Sequence, residues 1–144
     1  MAERHQRRRH LHREMTVVVE SDKRRVWLAV VLLGSTAFAF VRLRAFLPPP
    51  HAGLLGVATA AGAAIVQEAV FRRWLYAELE WFGAPLAVIG TAALFALFHV
   101  PRYGWPVAPI DLGAGLIFGW QRYATGSWTA PAATHVLANL VQLW

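Results

Sequence analysis

Cysteine is absent from the 144 residues, which excludes disulfides and thiolate metal sites. Charge is scarce too: 15% of the chain is charged and 57% hydrophobic, where a soluble domain carries about 25% charged residues. No internal repeat is visible. Charge is also unevenly placed. Residues 1–25 hold eight of the fourteen basic side chains and four of the eight acids, leaving six basic and four acidic groups for the other 119 residues.

The basic start, with Arg4, Arg7, Arg8, Arg9, Arg13, Lys23, Arg24 and Arg25 ahead of apolar segments, is the positive-inside pattern and predicts a cytoplasmic N-terminus. Residues 1–25 read as a disordered tail facing anionic lipid headgroups. Nucleic acid is not expected as a partner, since nothing beside these arginines forms a soluble binding module. Met15 is a second candidate start. The first apolar run, Val26–Val41, begins late, is flanked by Arg42 and Arg44 and lacks a small-residue cleavage site. It is therefore expected to stay as a membrane helix and not to be removed as a signal peptide.

Pro48-Pro49-Pro50 then breaks the chain, because consecutive prolines cannot continue a helix. Ala52–Val66 is rich in Gly and Ala, suited to close helix contact in lipid. Arg73–Glu80 reads as amphipathic and interfacial, Trp81–Pro101 as an uncharged span, and Arg102–Pro109 as a turn-rich connector. Leu112–Gln121 is a short apolar piece, Gly126-Ser127 a turn, and Thr129–Trp144 the last helix. The expected fold is all-α: a polytopic transmembrane bundle of four to five helices, one domain over 26–144 with its motif-bearing core in 50–144.

Against that background, charged and polar residues in apolar segments stand out, because ions in hydrocarbon are costly. Glu68 with Arg72, Phe95 with His99, and His135 with Asn139 are each four residues apart, hence about 40° apart on one helix face. Three helices would each present one such pair inward. Glu68 with Arg72 reads as a stabilising intrahelical ion pair, or as a general base oriented by arginine. His99 is a core or interfacial histidine on one reading and a functional group on the other. His135 and Asn139 share one face of an apolar helix and can donate to a developing oxyanion. Asp111 and Arg122 read as interfacial. Two histidines and a glutamate suit zinc by ligand type, but no His-Glu-x-x-His element is present, and no metal or cofactor is expected.

Gln67-Glu68-Ala69-Val70-Phe71-Arg72, Phe95-Ala96-Leu97-Phe98-His99 and His135-Val136-Leu137-Ala138-Asn139 resemble, in order, the Glu-Glu-x-x-x-Arg, Phe-x-x-x-His and His-x-x-x-Asn motifs of the CAAX protease and bacteriocin-processing (CPBP, or Abi) family of intramembrane endopeptidases. Gly115-Leu116-Ile117-Phe118-Gly119-Trp120 and Thr125-Gly126-Ser127-Trp128 resemble its segment before the last histidine. The resemblance covers residues 50–144. It implies an integral protein of a bacterial cytoplasmic membrane that activates water through a glutamate and His99 and stabilises an oxyanion with His135 and Asn139. Its substrate would be a membrane-associated peptide or protein. The chain departs from the pattern at Gln67, which stands where the family has its first glutamate, and at Arg73, where glycine is common. Glu68 is then the motif's only carboxylate. A peptide-binding or immunity protein that does not cut, and a purely structural polar network, stand as the alternatives.

Overall fold

The structure, a computed structural model, describes residues 20, 22–38 and 53–143. Every described element is helical. Helix α1 covers 22–38. Helix α2 (Leu54–Glu68) continues through a π-helical stretch, Ala69–Leu75, into α3 (Tyr76–Glu80). Then come α4 (Ala84–Tyr103), a 3₁₀ turn (Trp105–Val107), α5 (Ala108–Thr125) and α6 (Thr129–Leu143). The tail up to residue 19, the three prolines, His51 and Trp144 lie outside the described residues.

Backbone chemistry sets the breaks. Gly126 ends α5 in the left-handed conformation at φ 65°, and its N–H bonds the Arg122 carbonyl, a glycine C-cap. Pro109 lies in the first turn of α5, where its missing N–H costs nothing.

Small residues set the closest packing. A Cβ on Gly115 would stand 2.8 Å from Ala92 Cα, and one on Gly119 3.2 Å from Val88 Cα. Two glycines four apart thus let α5 lie directly on the α4 backbone, the small-xxx-small device of lipid-embedded helices. Helix α6 packs on α2 and α5. Helix α1 is tied in by Gln121, whose Nε2 donates to the Val30 carbonyl at 3.0 Å and to Thr134 Oγ1 at 2.8 Å. Phe71, Phe95 and Phe118 form the apolar centre, flanked by Phe38, Leu75 and Ala114.

The surface is the reverse of a soluble protein's. Leu54, Trp74, Phe82, Ile89 and Phe98 are exposed, while Glu68, Arg72, Thr91, Gln121 and Thr134 are buried. Such an exterior suits lipid, and a charged interior without water contact needs partners for every group.

Two described helices are long and apolar enough to cross a membrane: the continuous Leu54–Glu80 rod and Ala84–Tyr103, both of mean hydropathy 1.7. This is fewer than the four to five expected. Helix α6 is 15 residues long, and α5 carries Asp111, Gln121 and Arg122. The expected interfacial piece Arg73–Glu80 is a continuation of α2. The connector at 102–109 is shorter than expected, because α4 runs through Pro101 to Tyr103 and α5 starts at Ala108. Leu112–Gln121 is the middle of that 18-residue helix, its start hidden in sequence by Pro106 and Pro109.

Candidate active site

Glu68 closes α2 at the point where the helix widens into its π-helical stretch. Such single π turns gather at functional sites. Both Glu68 and Arg72 are fully buried. Arg72 Nη1 lies 3.4 Å from Glu68 Oε1, and its Nε approaches Oε2 at 3.3 Å. Its Nη2 donates to the Gly115 carbonyl at 2.9 Å, a group reachable because Gly115 brings α5 so close. The guanidinium also lies 4.8 Å from the Phe95 ring, 5.3 Å from Phe118 and 5.7 Å from Phe71. Three ring faces thus replace part of the lost hydration by cation–π attraction.

His135, from α6, meets the same carboxylate. Its Nδ1 donates to Glu68 Oε1 at 2.9 Å, and the ring stacks on Phe118 at 4.8 Å. Its other nitrogen, Nε2, makes no part of that contact. One turn on, Asn139 Nδ2 donates to the Ala60 carbonyl at 3.2 Å, fastening α6 to α2. Gln67 is half-buried beside Glu68.

His99 stands near the end of α4. Its Nδ1 lies 2.9 Å from the Phe95 carbonyl. A carbonyl can only accept, so Nδ1 carries the proton and Nε2 is the basic nitrogen of the neutral ring. Phe95 touches both imidazoles, at 4.6 Å from His99 and 5.7 Å from His135. Tyr103 stacks on the other ring neighbour of Phe95, His99, at 6.0 Å.

The structure therefore brings Glu68, Arg72, Phe95 and His135 into direct contact and sets His99 against the same phenylalanine. Asn139 is engaged with α2 and Gln67 lies one residue along. Sequence reasoning passed over two neighbours. Asp111 is not merely interfacial: its Oδ2 comes 3.6 Å from His99 Nδ1. Arg122 donates from Nε to the Arg72 carbonyl at 3.2 Å and lies 4.9 Å from the Tyr76 ring. The signal for both was the one that revealed Glu68, a charge within an apolar helix. Among the described residues, no three His, Cys, Asp or Glu side chains are grouped to hold a metal ion.

A family model described as type II CAAX prenyl endopeptidase Rce1-like matches residues 48–141. The chain belongs to the Rce1-like family. The match spans the whole of α2 to α5 and nearly all of α6, and so every residue of the cluster. No curated protein and no solved structure matches. The Rce1-like assignment is compatible with the two helices long and apolar enough to cross a membrane, and it makes this a membrane protein of a peptidase family.

Proposed function

We propose that the chain is an intramembrane endopeptidase that hydrolyses a peptide bond near a membrane-associated terminus by side-chain activation of water. The supporting observation is the unequal wiring of the two histidines. His99 offers a basic Nε2, because its Nδ1–H is committed to a carbonyl. His135 has its Nδ1–H on the Glu68 carboxylate, and in the doubly protonated ring its Nε2–H is left as a donor.

In the reaction, His99 Nε2 takes a proton from water as its oxygen attacks the scissile carbonyl carbon. The carbonyl oxygen becomes an anion, held by His135 Nε2–H with Asn139 in support. The carbon–nitrogen bond then breaks, and the imidazolium of His99 returns its proton to the leaving amine. Glu68 and Arg72 hold His135 and supply balancing charge. In this reading no metal takes part, residues 26–144 form a single membrane domain in which α1, α5 and α6 complete the bundle around the two long helices, and the basic tail faces anionic headgroups on the cytoplasmic side.

Gln67 favours the second reading, a family member that grips a peptide without cutting it. The test is to express the wild type and a His99→Ala variant in a host lacking the endogenous protein and compare new peptide termini in the membrane fraction by mass spectrometry. Termini confined to the wild type support the protease. Identical patterns that change only when Gln67→Glu is introduced support the binding protein.

A further inference from the structure

Glu68 is engaged by Arg72 and His135, and Gln67 has no charge. A water-activating histidine generally works with a carboxylate that fixes its tautomer and stabilises the imidazolium. In this chain neither residue of the glutamate motif is placed to do that for His99. The carboxylate that faces His99 is on another helix. Asp111 lies in the first turn of α5, where the helix dipole favours an anion. Its Oδ2 is buried without a hydrogen-bond partner and lies 3.6 Å from His99 Nδ1. The two side chains are 18% and 14% exposed, so the pair sits nearer the outside than Glu68 and Arg72 do.

We propose that Asp111 is the positioning carboxylate of His99, taking over through α5 the role that the neutral Gln67 leaves empty in the α2 motif. The proposal rests on the protease reading above. With its Nδ1–H on the Phe95 carbonyl and the Asp111 carboxylate facing the same nitrogen at 3.6 Å, His99 is held in the tautomer whose Nε2 accepts the water proton. The charge of Asp111 is set against the imidazolium formed in that step, and Asp111 itself gains and loses no proton. The neighbouring charged and titratable groups are otherwise engaged or lie to one side. Arg72 is bound to Glu68 and the Gly115 carbonyl, His135 to Glu68, and Arg102 Nε to the Tyr103 hydroxyl. Tyr103 presents its ring to His99. The remaining approach to Nδ1 is that of Asp111.

The test uses full-length chain in membranes of the deletion host, with the rate at which wild-type-specific termini appear as the readout across pH. Asp111→Asn is expected to lower the rate about 10²-fold near neutral pH. It should also change the shape of the pH profile, because the charge set against the imidazolium of the catalytic step is gone. Asp111→Glu should recover part of the rate. Adding Gln67→Glu to Asp111→Asn should restore cleavage by returning a carboxylate to the motif. An Asp111→Asn protein with the wild-type rate and profile overturns the proposal while leaving the protease reading standing. A rate loss with an unmoved profile and no recovery in Asp111→Glu marks a structural role and overturns it as well. Absence of wild-type-specific termini removes the protease reading, and this inference with it.

Discussion

Among the described residues there are two carboxylate–imidazole pairs, and they are built differently. Glu68 with His135 is sealed in the centre at 2.9 Å, with Arg72 bound to the same carboxylate and aromatic rings closing over it. Asp111 with His99 is looser at 3.6 Å, partly exposed, and among the described residues has no arginine bonded to it. In the mechanism proposed above, the pair locked by a third charge holds its geometry, while the pair whose ring keeps Nε2 open takes and returns the water proton. The inner pair accordingly reads as architecture that doubles as an anion-holding group, and the outer pair as the place where protons move.

The comparison breaks most severely at Glu68. Glu68→Gln leaves Arg72 buried beside a neutral partner and should destabilise the bundle by about 3–5 kcal/mol, read as a fall in unfolding temperature in detergent. His99→Ala should do the opposite, lowering cleavage by at least about 10²-fold with the unfolding temperature little changed. Equal stability losses in the two variants would erase the distinction. Gly115→Val tests the inner pair through its support: the added side chain meets the α4 backbone and displaces the carbonyl that binds Arg72, for a cost of about 1–3 kcal/mol. The smallest effect is expected from Asn139→Ala. Losing its bond to the Ala60 carbonyl should cost about 1 kcal/mol, together with a modest loss of rate if Asn139 also serves the anion.

Much of the inner pair was legible in the chain. Glu68, Arg72 and His135 announced themselves as ionisable groups in apolar helices, and their spacing of four put Glu68 and Arg72 on one face. The all-helical fold followed from composition. The outer pair was not legible, because Asp111 lies just past the connector at 102–109 and by itself reads as an interfacial charge. No periodicity reveals that α5 begins before it. Of the four to five crossing helices expected, two among the described residues pass on length and hydropathy, because short apolar runs can be core helices as readily as spans. The tie between Gln121 and α1 lay beyond reach, since it joins residues 91 apart.

The widened stretch at Ala69–Leu75 has a consequence for how this chain can change over time. Its i→i+5 bonding holds one more residue per turn's worth of backbone than an ordinary helix. Deleting a single residue there would let the rod relax to a regular helix while everything downstream keeps nearly the same face, because the widened stretch turns about as far as an ordinary helix one residue shorter. Tyr76 would stay against the Arg122 side chain, whereas the same deletion in the regular part of α2 would swing the rest of the rod by about 100°. A point substitution such as the one at position 67 changes the motif's chemistry without touching this slack. Single deletions should therefore be tolerated at the exposed positions Val70, Arg73 and Trp74 and in the turns around Trp81–Gly83 and Gly126–Trp128, and a deletion scan scored by unfolding temperature would draw that map directly.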